Sequence, residues 1–266
     1  MEKEHRAIFQ AMDYTGKNVV VTGGASGAGV GIAMRFAEAG ANVAITYHSN
    51  EVAATAQVER LKAFGGKAEA YCLDQRDVPS IREVIYSIAR DFGGINVIVN
   101  NAGIYPHQNN LDMSQEEWDD MQASNTRGVY FICQAVAKVM MQQKDGGAII
   151  NVSSINATCP SDTLVHYGTS KAAVEFLTRG LAHDWGKHNI RVNCIAPGLI
   201  DSPMLDTWVP GWRQSYCERA PLGRLVTQED LGNAAIFLGS PLASFITGQI
   251  ITVDGGVLMA PAFFWE

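Results

Sequence analysis

No apolar run in the 266 residues reaches the ~18–20 positions that a helical membrane span needs. The opening segment MEKEHRAIFQAMDYTGK is polar and has no signal-peptide core. A soluble, cytoplasmic protein is therefore expected. Cysteine is sparse: Cys72, Cys133, Cys159, Cys194 and Cys217 are scattered, odd in number and free of any CxxC pair. That argues against a disulfide framework and a zinc module and reads as reduced thiols. His107, His166 and His183 form no ligand pattern either, so no metal is expected, although His166, beside Tyr167, is a candidate pocket-lining residue. Positive charge is short as well. Lys and Arg number 20 against 27 Asp and Glu, for a net charge of -7. Without a basic cluster, neither nucleic acid nor an anionic membrane is an expected partner.

What is present is apolar material enough for one large core, at 47% hydrophobic and 18% charged residues. Short β-branched runs alternate with longer helical patterns. Strands are predicted at 18–24, 42–47, 68–74, 95–103, 148–154, 190–198 and 249–256. Helices are predicted at 29–39, 50–64, 78–91, 114–142, 166–186 and 227–239, with Gly40, Gly65 and Gly93 placed as C-terminal caps. Continuous apolar strands alternating with helices predict an α/β fold, a doubly wound parallel sheet covered on both faces. Residues 1–15 read as an appendage to a single domain, 16–266. Residues 200–226 break the alternation and are rich in Pro, Trp and Tyr. They follow a strand end, where ligand crevices form, and read as a substrate lid. Trp208, Trp212 and Tyr216 are its candidate aromatics, either for an apolar substrate or for a neighbouring subunit.

The stretch VVVTGGASGAGVG at 19–31 ends a strand and opens a helix. Gly23, Gly27 and Gly29 there permit a tight turn and let backbone N–H groups approach a pyrophosphate. An acid at the end of the second strand would bind a ribose 2′-hydroxyl and repel a 2′-phosphate. Tyr47 stands there instead, followed by His48, Ser49 and Asn50, which can donate to a phosphate. This pattern favours NADP(H) over NAD(H), although Ser26 in the glycine turn is not basic.

TGGASGAG at 22–29, NNAG at 100–103, Asn125 in SNTRGVY, Ser154 in INVSS, YGTSK at 167–171 and APG at 196–198 stand in one order along the chain. In these six motifs, spanning about residues 15 to 257, the chain resembles the short-chain dehydrogenases/reductases. The resemblance implies a Rossmann-type fold with about seven parallel strands, usually assembled as a homotetramer or homodimer. It implies a cofactor held by Gly23, Ser26, Gly27, Ala28 and Gly29, then by Tyr47, His48 and Ser49. Asp74 and Gln75 follow the third strand, with Asp74 on the adenine. Asn101, Ala102 and Gly103 follow the fourth, and Asn100 is both structural and cofactor-facing. Pro197, Gly198, Ile200 and Ser202 follow the sixth, with Ser202 on the nicotinamide carboxamide. Tyr167 and Lys171 also contact the cofactor. In the catalytic set so implied, Tyr167 is the acid/base, Lys171 its pKa modifier and ribose anchor, and Ser154 the substrate orienter. Asn125 distorts its helix and relays protons through a water.

Elementary electrostatics supports the pair. A tyrosine needs its pKa lowered about 3 units from ~10, roughly 4 kcal/mol, to work near neutrality. One cation at about 4 Å, at an effective dielectric of about 20, supplies that amount. Lys171, four residues on, shares a helix face with Tyr167. The function expected is hydride transfer between NADP(H) and a small-molecule secondary alcohol or ketone. The alternatives are an NAD-dependent sugar, polyol or hydroxysteroid dehydrogenase, and a dinucleotide-sensing protein without turnover. The four-residue Tyr–Lys step argues against an enoyl reductase; gluconate-type and carrier-bound substrates stay open, the latter weaker because the only basic residues near the lid are Arg213, Arg219 and Arg224. Ala172, Ala173, Val174, Phe176 and Leu177 form a packing face, much of it expected to meet a neighbouring subunit.

Overall fold

In a computed structural model, residues 10–202, 205 and 211–259 are described. Seven strands form one sheet: β1 Asn18–Val21, β2 Asn42–Tyr47, β3 Ala68–Cys72, β4 Val97–Asn100, β5 Gly147–Val152, β6 Ile190–Pro197 and β7 Ile250–Val253. The spatial order is β3-β2-β1-β4-β5-β6-β7, and every neighbouring pair is parallel. The described helices are α1 Gly27–Glu38, α2 Glu51–Lys62, α3 Val78–Phe92, α4 Gln115–Gln122, α5 Val129–Met140, α6 Val165–Trp185, α7 Trp212–Arg219 and α8 Gln228–Gly239.

Successive strand residues point to opposite faces, and each face has its own core. Val19, Val21, Val43, Ile45 and Ile150 pack with Ile32 and Phe36 of α1, Leu61 of α2 and Leu231 of α8. Val20, Ala44, Ile98, Ile149 and Val192 pack with Ile81 and Ile85 of α3, Ile132 and Val136 of α5 and Val174 of α6. Burial on both sides explains why the strands read as unbroken apolar runs. The chain order switches direction between β1 and β4. Ligands in such sheets bind beyond the strand C-termini at that switch.

The expected single helix over 114–142 is three pieces. A capping box of Ser114 and Glu117 starts α4. Ala123–Gly128 is then a π-helical turn, and α5 resumes after it. The periodicity persists through the turn, so it hides the break. The C-terminal glycines stand as expected: Gly40, Gly65 and Gly93 have φ of +89°, +89° and +79°. The expected appendage joins the core through its last residues. Tyr14 is buried, donates to the Ile236 carbonyl at 2.7 Å and meets the Phe36 ring edge-on at 5.0 Å. Within the expected lid, the described part holds α7. Trp208 lies outside the described residues.

Candidate active site

Gly23 and Gly27 adopt φ of +64° and +52°, a region costly for other residues. A Cβ on Gly29 would stand 2.2 Å from the Gly23 carbonyl oxygen, whereas one on Gly27 would meet nothing within 4 Å. The turn therefore folds tightly on itself and leaves its outer side open. Ser26 is the N-cap of α1 but makes no side-chain cap bond, and the first turn of α1 carries no acid. The helix start thus keeps unpaired N–H groups and a positive dipole end facing that opening, the requirement for a phosphate. These residues fit a dinucleotide.

The loop after β4 is tied to this turn. Thr22 Oγ1 accepts from the backbone N–H groups of Asn101 and Ala102, both at 3.0 Å. Asn101 Nδ2 donates to the Thr22 carbonyl at 3.0 Å. Asn100 turns inward instead: its Nδ2 donates to Asn151 Oδ1 at 2.9 Å, and Asn151 donates to Thr178 Oγ1 at 2.9 Å. Its side chain belongs to a polar chain through the sheet, which is the structural half of the expectation. Gln75, expected at the cofactor, sends its side chain to the Ala102 carbonyl (3.2 Å) and to Ser124 Oγ (3.1 Å). It braces the loop against the π-helical turn, a job for a long amide where an apolar side chain could only fill space.

At the far end of the crevice, Tyr47 closes β2, and His48 and Ser49 are exposed. Asn50 Oδ1 caps α2 by accepting from Ala53 N–H at 3.0 Å. Asp74 is gripped by Arg76, with Oδ1 and Oδ2 both 2.9 Å from the guanidinium, and lies 3.5 Å from His48 Nε2. The Arg76 hydrogen bonds hold the Asp74 carboxyl down at about 2. Arg76 also binds Asp120 at 2.9 Å, so its charge is neutralised twice. His48 and Ser49 remain the donors best placed at the strand end.

The four reacting candidates converge beyond β4 and β5. Ser154 follows β5 and is buried. Tyr167 lies in the first turn of α6, where the Ser154 hydroxyl acts to lower its pKa. Lys171, one turn on, is 4% exposed. Its Nζ donates to the Val152 carbonyl at 2.9 Å and lies 5.6 Å from the Tyr167 ring centre. Asn125 is fully buried in the π-helical turn. Its Oδ1 accepts from Ile104 N–H at 2.9 Å, and its Nδ2 donates to the Ile104 carbonyl at 2.8 Å. A Cβ on Gly103 would stand 3.0 Å from Asn125 Oδ1 and 3.5 Å from Lys171 Nζ. Only glycine leaves that space open.

The expected magnitude needs correction. Burial pushes the Tyr167 phenol up to about 12, opposed by the Ser154 hydrogen bond, and the same burial pushes Lys171 down to about 8. Lys171 is not among the influences on the phenol; burial is the largest, and in the free chain Tyr167 is a phenol at neutral pH.

Pro197 ends β6, and Gly198 lies where a Cβ would collide with Tyr216 Oη at 2.0 Å. Tyr216 itself donates to the Asp254 carbonyl at 2.7 Å. It therefore anchors α7 to the sheet end and is no open lid aromatic. Ile200 pairs with Val226, and Ser202 accepts through its carbonyl from Arg213 at 3.4 Å. Trp212 stands 6.3 Å from the His107 ring. His166 is fully buried between α6 and its neighbours, with no protein partner at either ring nitrogen. Sequence reasoning passed over Thr22, Tyr105 and Asn156. The first lay inside the glycine motif as its only hydroxyl side chain before Ser26. Tyr105 contacts the Tyr167 ring at 6.2 Å, and no spacing rule points to it. Among the described residues no cluster of metal-ligating side chains occurs, and no helix is long and apolar enough to cross a membrane.

Known proteins share this arrangement. Residues 23–258 match the family model described as enoyl-(acyl carrier protein) reductase. The chain is 37% identical over 241 residues to the 3-oxoacyl-[acyl-carrier-protein] reductase of Chlamydia muridarum, covering 91% of this chain and 97% of that one. It is 34% identical over 248 residues to the gluconate 5-dehydrogenase of Gluconobacter oxydans, covering 92% and 96%. The crystal structure of a gluconate 5-dehydrogenase from Burkholderia cenocepacia in complex with NADP and tartrate superposes with a TM-score of 0.89 at 31% identity, over 96% of this chain and 100% of that one. With its seven-stranded parallel sheet, its glycine turn and this match along nearly the whole length, the chain belongs to the short-chain dehydrogenase/reductase family of oxidoreductases.

Proposed function

We propose that the protein transfers hydride between NADP(H) and a small secondary alcohol or ketone, with Tyr167 as the acid/base. The observation that carries this reading is the junction of Ser154, Tyr167 and Lys171 at the strand ends, with Lys171 Nζ 5.6 Å from the phenol ring. When bound, the nicotinamide supplies or accepts the hydride and, oxidised, adds positive charge beside the phenol. For carbonyl reduction, Tyr167 donates its proton to the substrate oxygen as the hydride arrives at carbon. Ser154 orients that oxygen, and Lys171 steadies the phenolate left behind. In alcohol oxidation the same groups work in reverse. A phenol near 12 in the free chain starts in the acid form that reduction needs.

The crevice wall beside Tyr167 is polar: Ser154, Asn156 and Ser161 form a hydrogen-bonded string, and His107 binds Thr163 Oγ1 at 2.8 Å. This supports a hydroxylated ketone over a steroid. Arg213 is paired with Asp201 at 2.8 Å and Arg224 with Asp230 at 2.6 Å. Paired arginines offer little to an acidic carrier protein. His48 and Ser49 after β2, with no acid at Tyr47, support NADP(H), as does the NADP bound to the Burkholderia neighbour. The test is oxidation of NADPH in the presence of a ketogluconate, acetoin, a ketosteroid and an acetoacetyl thioester, together with paired NADP⁺ and NAD⁺ titrations. Turnover is expected with the hydroxylated ketones. A preference for NAD⁺ of about tenfold, about 1.4 kcal/mol, overturns the cofactor assignment.

A further inference from the structure

Ser154 carries one proton, and two acceptors compete for it. One is Asn156 Oδ1, 3.3 Å from Ser154 Oγ. The other is the oxygen of Tyr167, on which the Ser154 hydroxyl acts to lower the phenol's pKa. The backbone N–H of Asn156 donates to Ser154 Oγ at 3.1 Å, making Ser154 the cap of the 3₁₀ turn Ile155–Ala157. The amide of Asn156 is itself held, since its Nδ2 donates to Ser161 Oγ at 2.6 Å. That bond turns Oδ1 towards Ser154. The turn is pressed against α6 directly beside the tyrosine: a Cβ on Gly168 would stand 2.7 Å from the Asn156 carbonyl oxygen.

The consequences follow from counting donors and acceptors. While Tyr167 is a phenol, the Ser154 proton rests on Asn156 Oδ1. Once Tyr167 has given its proton to the substrate oxygen, the phenolate becomes the stronger acceptor, and the Ser154 proton turns to it. We propose that Asn156 is a positioning residue: its side-chain carbonyl holds the Ser154 proton away from Tyr167 while the phenol is intact and yields it when the phenol ionises. Asn156 thereby favours the acid form of Tyr167 and biases the site towards carbonyl reduction. This assignment rests on the acid/base reading of Tyr167. The other ionisable groups facing the phenol are Lys171 on the same helix and Tyr105 across the crevice. Cys194 lies behind Lys171, and Glu175 is reached through Ser153.

A substrate-free titration tests it. Protein labelled with ¹³C at the tyrosine ζ carbon and saturated with NADP⁺ is titrated by NMR, and the Tyr167 resonance is identified by its loss in Tyr167→Phe. Removing the competing acceptor in Asn156→Ala is expected to raise the Tyr167 ionisation constant about three- to tenfold, the worth of one neutral hydrogen bond. Asn156→Asp, a stronger and charged acceptor, is expected to lower it by at least as much. Ser161→Ala is expected to move in the direction of Asn156→Ala by a smaller factor, and Ser161→Thr to match the wild type. Aspartate also lowers the constant by its charge alone, so the alanine and Ser161 variants carry the discrimination. Coincident titrations of wild type and Asn156→Ala overturn the proposal. If an Asn156 variant does not fold, coincident titrations of Ser161→Ala and wild type overturn it instead. A wild-type Tyr167 that never titrates while Lys171 is charged overturns the acid/base reading together with it.

Discussion

Replacing Lys171 by methionine should make the protein more stable while abolishing its chemistry. The lysine is 4% exposed, and burial lowers its pKa from 10.5 to about 8. Between those two values the unfolded chain binds a proton that the native chain does not. Stability therefore rises with pH across that window, and at neutral pH the native state carries the penalty of a desolvated ammonium. A shift of this size costs about 3 kcal/mol at pH 7. Methionine has a similar shape and no charge to desolvate, but it leaves the Val152 carbonyl without the 2.9 Å bond from Nζ, a loss of about 1 kcal/mol. Lys171→Met should thus gain about 2 kcal/mol at pH 7. The margin over wild type should shrink by about that amount at about pH 9.5, where the unfolded lysine is itself losing its proton. Urea unfolding at the two pH values measures both figures. A variant less stable than wild type at pH 7, or a margin that does not change with pH, refutes the reasoning. Its loss of turnover in the same preparation would show stability given up for function.

Burial also depresses His166, opposed by Glu117 and reinforced by His107. Below about pH 6.5 the unfolded chain takes a proton that the native imidazole refuses, so wild-type stability should fall there. His166→Leu should remove that acid limb and be equal to wild type or about 1 kcal/mol more stable at pH 7, as read by unfolding at the two pH values. A parallel pH dependence in the two proteins would refute this. Gly29→Ala would force a Cβ to within 2.2 Å of the Gly23 carbonyl, which is backbone and cannot swing aside. NADP⁺ affinity should drop about tenfold or more, about 1.4 kcal/mol, in a fluorescence titration. Unchanged affinity would show that the turn does not hold the dinucleotide.

The sheet was legible because its strands are buried on both faces, which leaves an unmistakable run of β-branched residues between glycine stops. The glycine turn was legible for a similar reason, since Gly23, Gly27 and Gly29 answer to backbone geometry that no other residue meets easily. Position along the chain brought Tyr167, Lys171, Ser154 and Asn125 to one place. What it could not reveal was direction. Asn100 and Gln75 stand in motif positions yet point their side chains into the sheet and across to Ser124. The π-helical turn at Asn125 keeps helical periodicity in its sequence while shifting its backbone register. The electrostatic balance was hidden as well. Spacing placed Lys171 beside Tyr167, but only the fold shows the burial that keeps Tyr167 a phenol.

Tyr167→Phe offers the most direct measurement. The variant keeps the ring, its edge contact with Tyr105 and the fold of α6, and loses only the hydroxyl. NADPH binding should be unchanged, while ketone-dependent NADPH oxidation falls at least about 10²-fold, the usual worth of a positioned acid. Turnover near the wild-type rate in a variant that binds NADPH normally would contradict the account.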